Sequence, residues 1–102
     1  MNLHLEGKKV FISGSTKGIG FETARLFLEE GAKVIINGRT KKGVETALNS
    51  LNSDNVSGLV ADFIDYSEVK NLIDQIPNDI DILVNNVGIF RGKEFKDETV
   101  ED

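Results

Sequence analysis

With 102 residues, 39% of them hydrophobic and 28% charged, the chain has the composition of one globular domain rather than of a disordered or fibrous protein. It contains no Cys and a single His, which excludes a disulfide framework and a thiolate or histidine-cluster metal site. Its net charge is −5, but residues 1–51 carry eight Lys or Arg against five Asp or Glu, while residues 52–102 carry four against twelve.

The charge distribution and the apolar runs narrow the range of partners. An acidic chain without a basic stripe argues against nucleic-acid binding, whereas the basic first half suits a small anionic ligand. The apolar runs over 33–36 and 80–84 are far shorter than the roughly 20 residues of a membrane-spanning helix, and no apolar leader follows a basic start. We therefore expect a soluble, cytoplasmic protein with no membrane partner.

Short runs rich in strand-forming residues alternate with segments whose apolar residues recur three and four positions apart. The first pattern predicts strands and the second predicts amphipathic helices. The predicted strands are Lys9–Ile12, Lys33–Asn37, Val56–Val60 and Ile80–Val84, and the predicted helices run from about Ile19 to Glu30, from Lys41 to about Leu51, and from behind Asp65 to Pro77.

The ends of these helices carry their own signals. Gly31 stands where a left-handed C-cap is expected, Thr40 is a candidate N-cap, and Asp65 to Glu68 has the spacing of a capping box. Parallel strands joined through helices make right-handed crossovers, so the order β-α-β-α-β-α-β predicts an α/β fold. We expect a partial Rossmann fold, a four-stranded parallel sheet of order 3-2-1-4 with helices on both faces.

A complete sheet of this type comprises two β-α-β-α-β halves, and four strands supply one half and the start of the next. Thr99–Asp102 also has the composition of an N-cap and the first turn of a helix. We therefore expect residues 1–102 to be a single dinucleotide-binding domain, truncated at its C-terminus. The alternative is a natural four-stranded domain with an acidic tail.

A glycine-rich loop separates the first strand from the first helix. Gly14 permits a tight turn, Gly18 removes a Cβ that would keep a pyrophosphate from the backbone, and Gly20 lets helix and strand pack closely. The N-terminus of the helix then offers N–H groups to phosphates. The pattern indicates a dinucleotide site, and the alternative is a glycine-rich turn without a ligand.

The spacing excludes a P-loop, because Lys17 precedes Gly18 instead of following a glycine into the helix. The pattern G-x-x-x-G-x-G over 14–20 resembles the fingerprint T-G-x-x-x-G-[IL]-G of the short-chain dehydrogenase/reductase family. Two further family motifs are similar in this chain: N-N-A-G at 85–88, and the acid after the third strand at Asp62. Ser13 stands in place of the family's Thr and keeps the hydroxyl, while Val87 stands in place of Ala and adds methyl groups that can crowd the cofactor.

The resemblance covers the whole chain and implies roles for individual residues. The glycine loop would line the pyrophosphate and ribose, Asp62 would bind the adenine amino group, and the Asn-Asn pair with its glycine would hold the central sheet and the cofactor ribose. The cofactor-binding residues expected from the loop, the strand ends and the resemblance are Gly14, Ser15, Thr16, Lys17, Gly18, Ile19, Gly20, Asn37, Arg39, Asp62, Asn85, Asn86 and Gly88.

The end of the second strand bears on the choice between NAD and NADP. NAD-binding folds place an acid there to bond the ribose 2′-hydroxyl, but the window over 35–42 contains none. Arg39 can grip a 2′-phosphate bidentately, with Lys17 across the loop and Lys41 or Lys42 nearby. NADP is therefore the expected cofactor and NAD the less favoured one, although Lys41 and Lys42 also fit a solvated helix start.

Tyr66 and Lys70 have the Y-x-x-x-K spacing of the family's catalytic pair, but they precede Asn85, whereas the family's pair follows N-N-A-G at a distance. A catalytic acid must reach the reacting atom, so we do not interpret Tyr66 as one. The resemblance implies that the catalytic Asn, Ser, Tyr and Lys fall beyond Asp102. We therefore expect no catalytic residue and no metal ligand in this chain.

The sequence thus predicts the N-terminal NADP-binding part of a short-chain oxidoreductase, whose parent would transfer a hydride between NADP(H) and a small carbonyl or alcohol substrate. The alternative is a non-catalytic dinucleotide-binding or regulatory module. An intact mass measured on protein from its native source separates the two. We also expect a homo-oligomer, because the apolar strand Ile80–Val84 lacks the protections of an edge strand. Copies of the chain should associate through this edge, by strand pairing or by exchange of the C-terminal segment.

Overall fold

The computed structural model describes residues 4–86, so Val87, Gly88 and the predicted helix start at Thr99–Asp102 lie outside the described residues. No helix in this range has both the length and the apolar character needed to cross a bilayer. The elements are β1 (Lys9–Ile12), α1 (Gly18–Glu29), β2 (Lys33–Gly38), α2 (Lys41–Leu51), β3 (Val56–Val60), α3 (Tyr66–Gln75) and β4 (Ile82–Val84).

The four strands form one sheet of order β3-β2-β1-β4, and all three pairings are parallel. This confirms the predicted order. The bounds of β1, α2 and β3 are those predicted, while α1 begins and ends one residue earlier and β2 continues to Gly38. The carboxyl ends of the strands therefore meet at one edge, where ligands of such sheets bind.

Side chains alternate between the two faces of the sheet, and each face has its own apolar core. On one face, Val10 and Ile12 of β1 pack with residues of β2, α1 and α2. On the other face, Phe11 packs with Ala61 and with Leu72 of α3. Because residues of β1 contribute to both cores in turn, the sheet is covered by helices on both sides, as predicted.

The helix ends follow the predicted signals. Gly31 has a φ of +88°, the left-handed geometry expected of a residue just past a helix. The Thr40 hydroxyl accepts a hydrogen bond from the Gly43 N–H at 3.0 Å and so caps α2. At α3, Ile76 is extended ahead of Pro77, since a residue before proline avoids the helical region.

Strand β4 is shorter than predicted and begins at Ile82 instead of Ile80. The Lys9 N–H donates to the Asp81 carboxylate at 2.9 Å, and the Asp81 N–H donates to the Lys9 carbonyl at 2.8 Å. The first paired residues are therefore Val10 and Ile82. The Asp81 carboxylate thus accepts the Lys9 N–H in place of a backbone carbonyl of the sheet, and β4 begins later than predicted for this reason.

The capping box at α3 forms only in part. The Asp65 carboxylate accepts hydrogen bonds from the N–H groups of Ser67 and Glu68, and together with the Ser67 hydroxyl these hold the pKa of Asp65 below its ordinary value. The Glu68 carboxylate does not complete the box by returning to Asp65. It accepts from the Asp62 N–H at 2.9 Å.

A buried amide connects the ends of three strands. Asn37, at 1% exposure, accepts a hydrogen bond through Oδ1 from the Gly14 N–H at 2.8 Å and donates through Nδ2 to the carbonyls of Leu59, at 3.3 Å, and Ala61, at 3.5 Å. Its backbone exchanges two further hydrogen bonds with Ser15. One side chain thus fixes the loop after β1 against β2 and β3.

Replacing Asn37 by Ala should lower the free energy of unfolding by about 1–3 kcal/mol, because it leaves buried backbone donors and acceptors without partners. Asn49→Ala, on the exposed surface of α2, is the matched control and should change stability by less than about 0.5 kcal/mol. Urea unfolding followed by circular dichroism measures both. Equal stability of the two variants would contradict the role given to Asn37.

Candidate functional site

The loop between β1 and α1 has the backbone geometry that its glycines suggest. Gly14 and Gly18 have φ values of +58° and +67°, which other residues rarely adopt. A Cβ on Gly20 would lie 2.5 Å from Asn86 Nδ2 and 2.6 Å from the Gly14 carbonyl oxygen. The third glycine is therefore needed for close packing, as predicted, and the first two are needed for the turn.

The N-terminus of α1 differs from those of the other two helices in the described part of the chain. Helices α2 and α3 are capped by the side chains of Thr40 and Asp65, but at α1 the N-cap residue Lys17 makes no side-chain capping bond, and no acid lies in the first turn. A Cβ on Gly18 would meet no atom within 4 Å. Exposed N–H groups beside open space, at the positive end of a helix dipole, fit a phosphate group.

A cleft of about 210 Å³ opens at the carboxyl ends of the strands, beside this loop. It brings together many of the residues predicted to bind a cofactor. Its lining consists of Gly14, Thr16, Lys17, Asn37, Gly38, Arg39, Ala61, Asp62, Phe63, Ile64 and Asn86. Of the other predicted residues, Ser15, Gly18, Ile19 and Gly20 belong to the same loop and the start of α1 without lining the cleft, and Gly88 lies outside the described residues.

Two predicted residues, Ser15 and Asn37, make hydrogen bonds within the protein that support the loop. The hydroxyl of Ser15, which is fully buried, donates to the Ile12 carbonyl at 2.7 Å and accepts from the Asn37 N–H. The Asn37 side-chain amide accepts from the Gly14 N–H of the loop and donates to the Leu59 carbonyl of β3. These two side chains hold the shape of the loop, and Asn37 also lines the cleft.

Sequence analysis did not single out Phe63 and Ile64, which line the cleft next to Asp62. Ile64 is 75% exposed, unusually open for a large apolar side chain. The Ile64 N–H donates to Asp62 Oδ1 at 3.0 Å, which draws the segment into a tight turn after β3. Their position at a carboxyl strand end, directly after the predicted acid, is the signal that could have identified them.

A second depression adjoins the cleft and shares Thr16, Lys17 and Arg39 with it. This basic groove measures about 400 Å³ and is lined by Thr16, Lys17, Arg39, Thr40, Lys42, Gly43 and Thr46. Its lining contains three cations and no carboxylate. Within residues 4–86 the ion pairs are Lys9 with Asp79 and Arg25 with Glu22 and Glu29, so the cations of the groove remain available to an anion.

The Asn-Asn pair joins β4 to the glycine loop. The Asn86 N–H donates to the Ser13 hydroxyl at 2.9 Å, and Asn86 Nδ2 donates to the Gly14 carbonyl at 3.0 Å. The Ser13 hydroxyl in turn donates to Asn85 Oδ1 at 3.3 Å. The hydroxyl that Ser13 shares with the family's Thr therefore links the glycine loop to the Asn-Asn pair. Asn85 itself lines a different depression, the apolar groove of about 340 Å³ between α3 and β4.

The pair with the Y-x-x-x-K spacing lies away from these features. Tyr66 is the first residue of α3 and is 82% exposed, and neither Tyr66 nor Lys70 lines the cleft, the basic groove or the apolar groove.

Curated proteins similar to the chain are oxidoreductases. It is 44% identical over 105 residues to the uncharacterized oxidoreductase YvrD of Bacillus subtilis (strain 168), covering 100% of the chain and 40% of YvrD. It is 41% identical over 90 residues to the 3-oxoacyl-[acyl-carrier-protein] reductase FabG of Haemophilus influenzae, covering 85% of the chain and 37% of FabG. The chain thus spans about 40% of the length of these relatives.

Solved structures with the same fold include cofactor complexes. The 3-ketoacyl-(acyl-carrier-protein) reductase of Brucella melitensis complexed with NADH has a TM-score of 0.67 and 32% identity, covering 78% of the chain and 34% of that structure. The RhlG/NADP active-site complex of Pseudomonas aeruginosa has a TM-score of 0.74 and 28% identity, covering 82% and 36%. The neighbours therefore include proteins bound to either dinucleotide.

The family model matches a larger part of the chain than either of these two solved structures covers. A family model described as short chain dehydrogenase matches residues 8–102, a range that contains the glycine loop, Asp62 and the Asn-Asn pair. The chain belongs to the short-chain dehydrogenase family, and within it to the part that carries the glycine loop and the first four strands.

Proposed function

We propose that this chain is the NADP-binding part of a short-chain oxidoreductase that transfers a hydride between NADP(H) and a carbonyl or alcohol substrate. The observation that carries the proposal is the basic groove, an acid-free depression that continues from the cleft at the carboxyl ends of the strands. The bound nicotinamide would supply or accept the hydride. The residues described below hold the rest of the cofactor.

The 2′-phosphate fits the basic groove because Lys17 lines it from the glycine loop and Arg39 and Lys42 line it from the stretch that enters α2. A guanidinium can form two parallel hydrogen bonds with a phosphate, and the lysines add charge. The groove also includes Thr40 and Gly43 at the start of α2, whose first turn carries no acid. Lys41 does not line the groove, so of the two lysines weighed for this role only Lys42 is assigned to it.

The remaining parts of the dinucleotide fit the cleft and the start of α1. The uncapped N-terminus of α1 suits the pyrophosphate. At the other side of the cleft, Asp62 offers a carboxylate acceptor beside the apolar side chains of Phe63 and Ile64. A planar base with an exocyclic amino group combines the apolar faces and the donor that such a site recognises, so we assign the adenine to it.

NADP should bind this chain more tightly than NAD, by several-fold to about a hundredfold, because a hydrogen bond to a charged group is worth about 1.5–3 kcal/mol. Calorimetric titration of both dinucleotides measures the ratio. Arg39→Ala should reduce the affinity for NADP and leave that for NAD unchanged. Arg25→Ala, on the outer surface of α1, and Lys41→Ala are matched controls that should preserve the preference.

Equal affinities of the wild-type chain for NADP and NAD would contradict the choice of NADP. Equal losses of both affinities in Arg39→Ala would contradict the contact with the 2′-phosphate. If Arg39 contacts only the 2′-phosphate, Arg39→Ala should keep its affinity for NAD and lose the preference for NADP.

We also propose that residues 1–102 recognise the cofactor without carrying out the chemistry. NADPH should not be consumed by this chain with a panel of aldehydes and ketones, followed at the nicotinamide absorbance, since no described side chain in the cleft is placed as a proton donor for a substrate oxygen. Tyr66→Phe should bind NADP as the wild type does. Turnover that Tyr66→Phe abolishes would show that the exposed phenol is catalytic.

Self-association of the chain is a further proposal, and it rests on the exposed side of β4. Within residues 4–86, β4 pairs with β1 on one side only, and Leu83 is 67% exposed beside the apolar groove. Unpaired strand edges of this kind recruit further strands. A second copy of the chain presents the same edge and could pair with it symmetrically.

Light scattering at micromolar concentration should therefore detect dimers or larger species. Leu83→Lys should shift them toward monomer, because a charge on an edge strand opposes pairing. Leu26→Lys is the matched control, since Leu26 is also a well-exposed leucine, at 57%, but lies on helix α1 and not on a strand edge. A monomeric wild type, or equal effects of the two substitutions, would refute association through this edge.

A further inference from the structure

The turn between β3 and α3 is held by three hydrogen bonds that converge on one residue. Asp62 Oδ1 accepts from the Ile64 N–H at 3.0 Å, and the Asp62 carbonyl accepts from the Asp65 N–H at 3.0 Å. The Asp62 N–H donates to Glu68 Oε1 at 2.9 Å. The first two bonds are local to the turn, whereas the third comes from a side chain on the following helix.

We propose that Glu68 is a positioning residue for the base-binding end of the cleft, which it controls through the Asp62 N–H. This inference rests on the proposed function, since it concerns how Asp62 meets the adenine. Glu68 lines neither the cleft nor the basic groove and therefore acts on the cofactor only through the turn.

The geometry explains why the hydrogen bond from the Asp62 N–H to Glu68, which we call the clamp, is useful. One carboxylate oxygen of Asp62 is engaged by Ile64, and Oδ2 has no hydrogen-bond partner among residues 4–86. A hydrogen bond from an amino group to that oxygen depends on the orientation of the carboxylate, because such bonds weaken steeply with misalignment. Fixing the backbone N–H of the same residue restricts that orientation before the cofactor binds.

The capping network makes the clamp rigid. The Asp65 carboxylate accepts hydrogen bonds from the Glu68 N–H at 3.4 Å and from the Ser67 N–H at 2.9 Å. These bonds fix the first turn of α3, from which the Glu68 side chain extends. Glu68 is half-buried, which limits competition from water. Phe63 and Ile64 lie within the clamped turn, so the apolar walls of the cleft are set by the same bond.

The clamp is tested with two ligands that differ at one edge of the base. Nicotinamide hypoxanthine dinucleotide phosphate has an oxo group and a protonated N1 where NADP has the adenine amino group and an unprotonated N1, so the ratio of the two affinities reports recognition of that edge, including the amino group. The wild-type chain should favour NADP. Glu68→Ala should reduce the ratio about threefold to tenfold, the effect of weakening one hydrogen bond, and Glu68→Gln should restore it, since a Gln carbonyl also accepts from the Asp62 N–H.

Glu45→Ala, an exposed Glu on α2, is the control and should keep the wild-type ratio. Without any ligand, exchange of the Asp62 amide hydrogen followed by NMR should be faster in Glu68→Ala and near the wild-type rate in Glu68→Gln. A general loss of stability would lower both affinities together and leave their ratio unchanged.

The outcomes separate this inference from the proposed function. If the wild-type chain binds neither dinucleotide, both are overturned. If it binds NADP but Glu68→Ala keeps the full ratio while the Asp62 amide exchanges faster, the proposed function stands and Glu68 is a structural cap only. If exchange of the Asp62 amide is unchanged in Glu68→Ala, the clamp itself is refuted.

Discussion

The carboxyl edge of the sheet depends on one buried amide. Asn37 occupies the point where the loop after β1, the end of β2 and the end of β3 meet, and its donor and acceptor atoms serve all three. A parallel sheet leaves backbone groups unpaired at this edge, and burying them without partners costs free energy. The amide satisfies them and fixes the loop in place. The positions of the cleft and of the basic groove follow from that position of the loop.

The three helix starts in the described part of the chain differ in how their first N–H groups are satisfied. Helices α2 and α3 are capped by Thr40 and Asp65, which satisfy N–H groups internally. At α1 the corresponding residue is Lys17, and the N–H groups are left for an external partner. The stability that a side-chain cap contributes, about 1 kcal/mol, is thus missing at a helix whose N-cap residue lines the cleft. An anion that binds there would supply the missing acceptors.

Local signals were sufficient to predict most of the fold from the sequence. The periodicity of Val44, Ala47, Leu48 and Leu51 and the Thr40 cap located α2, because these effects act within one or two turns. Prediction failed where a distant side chain replaced a local partner. Asp81 bonds the Lys9 N–H and delays β4, and Glu68 reaches Asp62 instead of completing a capping box. Asn37 and Ser15 stay predicted cofactor-binding residues. The structure adds that their side chains support the loop, which the sequence alone could not reveal because Asn37 bonds residues more than 20 positions away.

The basic first half and the acidic second half of the sequence contribute charges of opposite sign to the two adjoining depressions. Lys17, Arg39 and Lys42, all from the basic first half, gather around one groove, and Asp62, from the acidic second half, lies at another side of the adjoining cleft. In NADP the 2′-phosphate and the adenine are attached to the same ribose, so a cationic groove beside a cleft that carries a carboxylate would suit both groups at one end of the molecule. Reversing the dinucleotide end to end would take the 2′-phosphate away from the three cations of the groove, which is unfavourable. The proposed orientation of the cofactor is therefore favoured by long-range electrostatics before any individual hydrogen bond forms.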